Sequence, residues 1–104
     1  MDEEDLLNRV VNREDFARRV LVDDSFDEWE LARELGEFLL RIEPDDLTHR
    51  LILARAYRHL GDTQLAVEQL LNCERIIKDT KLGDVETELI VPMVSDELRL
   101  LRNG

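Results

Sequence analysis

One segment of this chain returns thirty-four residues later, and that return limits the possible folds more than any other feature. Laying Trp29–Glu43 over Thr63–Ile77 puts Leu31 on Leu65, Ala32 on Ala66, Glu34 on Glu68, Arg41 on Arg75 and Ile42 on Ile76. Coincidences at small and apolar positions, with a few charges, are what a duplicated amphipathic helix leaves behind. Self-similarity at a period of roughly 20–50 residues marks stacked repeat architectures. Between the two copies, Leu47 to Ile77 reads as one helix-turn-helix hairpin. The expected fold class is all-α.

Composition agrees with that expectation. Only 5% of the 104 residues are aromatic, with four Gly and two Pro, while 43% are hydrophobic. That is too apolar for a disordered chain and suits a helical core of Leu, Val, Ile and Ala. A chain of this length makes one domain, near the lower end of comfortable core size.

Punctuation along the chain divides it into helices. From Asp2 to Val22, Leu6, Val10, Ala17, Val20 and Leu21 recur at helical intervals; Asn12 and Asp15 leave open whether this is one helix or two. Ser25-Phe26-Asp27-Glu28 has the form of a capping box, in which Ser25 accepts from the backbone and Glu28 reaches back. The helix it would open carries Trp29, Ala32, Leu35, Gly36, Leu39, Leu40 and Ile42 and stops at Glu43-Pro44, because proline restricts its predecessor and cannot continue a helix interior. Asp45 or Asp46 caps the next, which runs to about Leu60 with Leu47, Leu51, Ala54, Tyr57 and Leu60 in phase. Gly61-Asp62 ends it and starts another, bearing Leu65, Ala66, Leu70, Cys73, Ile76 and Ile77. After a loop at Asp79–Asp84, with Asp84 as cap, Val85 to Leu101 forms a last helix. Pro92 either kinks it or divides it in two.

At Leu53, Ala54, Tyr57, Gly61, Asp62, Ala66 and Leu70 the chain resembles the tetratricopeptide repeat family. That family's 34-residue unit is patterned Trp-x2-Leu-Gly-x2-Tyr, then Ala-x3-Phe, then Pro. Leu53-Ala54 stand in the Leu-Gly slots, Tyr57 in the Tyr slot, Ala66 and Leu70 in the Ala-x3-Phe slots, and Pro44 closes the preceding unit. Arg50 stands where Trp is preferred, Lys78 where the second Pro would be, and Arg19, Val20 and Asp23 fit the first unit's slots poorly. The resemblance therefore covers about 25–77. It implies a short stack of five or six helices: an N-terminal cap over 1–24, a repeat-like core over 25–80 and a C-terminal cap over 81–104. Gly36 stands where a second helix of the motif has a large residue, so a neighbouring helix is expected to press against it; Gly36→Leu would then overpack the site.

Members of this family bind peptides or proteins on the concave side lined by the first helix of each unit. Carried over position by position, the resemblance picks Thr48, Leu51, Arg55, Arg58 and His59. Leu51, Arg55 and Arg58 share one helical face at i, i+4 and i+7. Two arginines so placed suit the bidentate grip of carboxylates, so an acidic peptide segment is the expected ligand. The plainer alternative is that these arginines pair with neighbouring acids and keep a face solvated. The Lys and Asn arrangement by which some members clamp a C-terminal carboxylate is not matched: Leu51 and Arg55 fill those slots.

Charge and motifs narrow the function classes. A formal net charge of −11, from 25 acidic and 14 basic residues, disfavours phosphate backbones and anionic lipid. Such a surface can imitate nucleic acid and occupy a basic partner, or simply keep a helical protein dissolved. The expected partner is a protein or peptide, not nucleic acid or membrane, with homodimerisation through the terminal helices as an alternative. The lone Cys73 forms no internal disulfide and falls at a small core position; no apolar run reaches membrane-span length; the acidic start lacks the positive charge of a signal peptide. A cytoplasmic location is expected. Asp23, Ser25, Asp27 and Glu34 imitate calcium-loop positions, but Glu28 replaces the required glycine and helix capping explains the same residues. His49 and His59 lack i, i+4 spacing and read as surface positions. No phosphate loop or nucleophile elbow is present. No cofactor, metal or catalytic residue is expected: the reading is a non-enzymatic adaptor, scaffold or chaperone-like holder.

Overall fold

The computed structural model describes residues 13–103, and the expectations for Asp2–Asn12 lie outside them. Five α-helices follow in order: α1 (Arg13–Val22), α2 (Trp29–Ile42), α3 (Leu47–His59), α4 (Thr63–Asp79) and α5 (Val91–Asn103), the last entered through a π-helical turn at Glu86–Ile90. Among the described residues there is no strand; the fold is all-α.

The middle hairpin is built where the sequence places it. Asp46 caps α3, its Oδ1 accepting from the His49 N–H at 2.9 Å. Gly61 turns the chain at φ +88°, a left-handed conformation that glycine adopts without a Cβ clash. Connections this short fold α2, α3 and α4 back on one another, and α3 lies between α2 and α4. At Gly36 α2 and α3 come close: a Cβ there would stand 3.2 Å from Leu53 Cβ. Arg50, in the motif's Trp slot, joins α3 to α4 by donating to Gln69 Oε1 at 2.8 Å.

The duplicated segments are equivalent in part. Ala32 and Ala66 are both completely buried, as are Leu39 and Cys73 to within a few per cent. Ile42 is 54% exposed whereas Ile76 is 2% exposed. The difference follows from length: α2 ends at Ile42 before Pro44, while α4 continues past Ile76 to Asp79.

Four local expectations change. Asp84 lies within the helical turn it was expected to cap, and Asp62 precedes α4 without a side-chain capping bond. No capping box forms at Ser25, because α2 begins at Trp29; Ser25 instead donates through N and Oγ to Asp23 Oδ1, at 3.0 and 2.7 Å. Phe26 is the reason. Its ring is buried edge-on against Phe16 and Trp29, with centroids 6.3 and 4.8 Å apart, which anchors residues 25–28 before any turn can form. Pro92 does not divide two helices. Helical backbone runs through it, and the turn just ahead is widened to the π form, Val91 N–H reaching Glu86 O. Proline has no N–H to give and its ring would strike the carbonyl four residues back, so the wider turn accommodates it.

Phe16, Val20, Leu35, Leu51, Leu70, Ile90 and Val94 belong to one hydrophobic cluster that takes residues from every helix and from the π turn. The terminal elements close over α3: α1, the π turn and α5 all touch it.

Candidate functional site

Each residue assigned by the resemblance sits on α3, but they face different surroundings. Leu51 is fully buried in the core. Arg55 and Arg58 converge on a carboxylate from α5, that of Glu97, which is only 2% exposed. Arg58 grips it as a fork, Nε to Oε2 at 2.6 Å and Nη2 to Oε1 at 3.1 Å. Arg55 Nε approaches Oε1 to 3.0 Å in ion-pair contact, without the alignment of a hydrogen bond. Its Nη1 donates at 2.8 Å to Leu21 O, satisfying a carbonyl in the last turn of α1. Arg55 thus ties α1, α3 and α5 together. A carboxylate this deep is tolerable because two guanidiniums face it.

His59 lies at the exposed end of the same face, stacked flat on Trp29 with centroids 3.8 Å apart and planes 3° from parallel. Arg58 Nη2 stands 3.2 Å from His59 Nε2. A guanidinium can only donate, so this nitrogen accepts and carries no proton. Burial, and then the Arg58 charge, hold the His59 pKa below its usual value.

Thr48 belongs elsewhere. It joins a cleft of about 460 Å³ between α1 and the π turn. Ala17, Leu21 and Val22 form one wall; Leu89, Ile90 and Met93 form the other, with Val85 at the edge. Three of these large apolar side chains are left in solvent: Val22 is 60% exposed, Val85 70% and Leu89 49%. The charged lining residues are Arg18, paired with Asp15 at 3.2 Å, and Glu86.

One functional residue missed by sequence reasoning, Glu97, has a signal in the sequence. Glu97 lies three residues after Val94 and four before Leu101, an acid on the apolar face of a helix, opposite two arginines of another. The cleft carries a fainter signal: Val85 and Leu89 precede Pro92, and only the π turn decides where they point.

Other candidate groups divide clearly. Glu43, Asp46 and His49 bring one ligand atom each within 4.8 Å of one another. Asp46 Oδ1 is already engaged as the α3 cap, and stands 3.7 Å from His49 Nδ1. His49 is buried, not at the surface as its sequence context suggests. Burial pushes the Cys73 thiol up to about 12, which leaves it protonated and inert at neutral pH. Asp23, of the calcium-like spacing, is held below the usual carboxylate range by its two bonds from Ser25. No helix among the described residues is long and apolar enough to cross a membrane.

No protein-family model, no curated protein and no solved structure significantly matches this chain.

Proposed function

We propose that this domain is a non-enzymatic protein–protein interaction module, a tetratricopeptide-like helical stack that works in the cytoplasm as an adaptor or scaffold. The observation that carries the reading is the apolar cleft between α1 and the π turn, where Val22, Val85 and Leu89 remain in solvent although neighbouring residues complete the core. Contiguous exposed apolar side chains with few convergent polar groups suit a protein segment better than a small polar metabolite. The arginines of α3 serve the reading indirectly: by holding Glu97 they fix α5 and α1, and so the spacing of the cleft walls.

The test compares wild type with Leu89→Ser and Val85→Ser, surface changes that leave the core intact, and with Arg102→Gln as a remote control. Fold is verified by circular dichroism, and specific partners are then captured from native lysate and measured with purified components. Loss of a purified partner's binding in the two cleft variants, with Arg102→Gln unaffected, is the expected result. A partner held equally by all four proteins would remove the cleft from the function.

A further inference from the structure

The turn between α2 and α3 gathers a mixed set of metal-ligating side chains. Among the described residues, one group of this kind converges: Glu43, Asp46 and His49 each bring a ligand atom, all within 4.8 Å of one another. They follow at intervals of three residues across a helix boundary, so the ligand spacing of a single helix does not apply. Glu43 is the C-cap of α2, its N–H donating to Leu39 O at 2.8 Å, and its carbonyl accepts from the Asp46 N–H at 3.2 Å. Pro44, with its φ fixed by the ring, lies between them. Asp46 is the N-cap of α3 and His49 stands in its first turn. Backbone that is braced in this way holds ligands more firmly than a free loop. Burial separates this group from the acids of the surface. The His49 side chain is 9% exposed, and its Nδ1 stands 3.7 Å from Oδ1 of the half-buried Asp46.

We propose that Glu43, Asp46 and His49 bind a divalent transition-metal ion of the zinc class, through one oxygen of each carboxylate and Nδ1 of His49. Imidazole and carboxylate both ligate zinc, and one nitrogen with two oxygens suits that class. Calcium takes six to eight oxygens, and magnesium is held by carboxylates, phosphates and water, so the buried imidazole selects against both. Tetrahedral zinc with bonds of about 2.0–2.2 Å sets its ligand atoms about 3.3 Å apart. A spread of up to 4.8 Å closes to that value through rotamer changes in Glu43, the longest acidic side chain of the set. The cap bond to the His49 N–H occupies one lone pair of Asp46 Oδ1 and leaves the second oxygen for the ion. Two carboxylates also outweigh the roughly half positive charge at the start of α3. The neighbouring cation, Arg50, is directed to Pro44 O and Gln69. The fourth position falls to water, and the ion staples the end of α2 to the start of α3.

The probe is zinc ion alone, titrated into the chelator-treated full chain and followed by calorimetry and by the imidazole nitrogen chemical shifts. One equivalent should bind, and the melting temperature should rise with zinc concentration. The His49 Nδ1 signal should move while that of His59, ten residues or about 15 Å further along α3, stays in place. Asp46→Asn keeps a side chain that caps well, and Glu43 is only half-buried, so Asp46→Asn and Glu43→Gln should both fold. Each should weaken zinc binding by at least about tenfold, whereas His59→Gln should not change it. Zinc binding that leaves His49 unmoved, or that both carboxylate variants retain in full, would be general attraction to an acidic surface and would overturn the proposal. No binding below about 1 mM zinc would overturn it too, leaving His49 as a core imidazole beside two acids. Calcium binding as tightly as zinc would overturn the assigned class of ion.

Discussion

Two residues show how single side chains set the geometry of this domain. Gly36 is a helix-interior glycine, which costs about 1 kcal/mol relative to alanine. The cost is offset by the approach of α3, since an added Cβ would meet Leu53 Cβ at 3.2 Å and its Cα at 3.5 Å. Gly36→Ala should therefore return less than the helix propensity promises, and Gly36→Leu should lose about 1–3 kcal/mol through overpacking, read from the urea midpoint. A Leu variant as stable as wild type would mean the helices part freely. His59 is the second case. Its folded pKa lies below 6.5, first through burial and then through Arg58, so the folded state binds fewer protons than the unfolded chain in the window just under 6.5. Stability from this residue is complete above that window and falls as the pH drops through it. Trp29 is the sole tryptophan and lies flat on the imidazole, and an imidazolium in contact quenches indole emission. Fluorescence should fall with a midpoint below 6.5, and His59→Gln should remove that step. A midpoint above 6.5 would contradict the assignment.

At the scale of elements, the Glu97 carboxylate ties the C-terminal helix to α3, beside the core contacts of Val94 and Leu98. Replacing one member of a buried ion cluster leaves the others uncompensated, at about 3–5 kcal/mol. The Arg55 and Arg58 side chains are 20% and 29% exposed, so water relieves part of the strain and the lower end applies. Glu97→Gln should cost about 3 kcal/mol in chemical denaturation, and Glu97→Gln with Arg58→Met less than the two changes summed. Strict additivity would show that the pair is not coupled. This same contact explains how far the sequence could be read. The ends of α3 were legible because Pro44, Asp46 and Gly61 act within a few residues of themselves. The start of α2 was not, since Phe26 packs against Phe16 on another helix and overrides a local capping pattern. Arg55 and Arg58 were legible as a cationic pair seeking a carboxylate. That Glu97 stands beside them depends on a separation of about forty residues and on the π turn that sets the helical phase after Pro92. The resemblance picks Thr48 only as a first-helix position of the concave face, and Val22, Val85 and Leu89 read as ordinary members of amphipathic helices until the walls are brought together.

For the molecule as a whole, the dominant electrostatic fact is excess negative charge. With 25 acids against 14 bases, repulsion within the compact state opposes folding. The exposed pairs, such as Arg18 with Asp15 and Arg33 with Glu37, return little. Repulsion between solvent-exposed charges is screened by salt, while the buried Glu97 cluster is affected much less. Sodium chloride should therefore raise the melting temperature. Most of the rise should come below about 0.1 M, over which the screening length contracts from about 30 Å at 0.01 M to about 10 Å. Solvent exclusion would act differently, with stabilisation growing mainly at higher concentrations. The acids beside the cleft allow a sharper test, because Asp24, Asp84 and Glu88 are exposed and carry the sign of the whole surface. Converting them to Asn, Asn and Gln should raise the low-salt melting temperature and flatten its salt dependence. A low-salt gain with a flattened salt dependence would place part of the repulsion at these three acids. An unchanged melting curve would place the repulsion elsewhere on the surface.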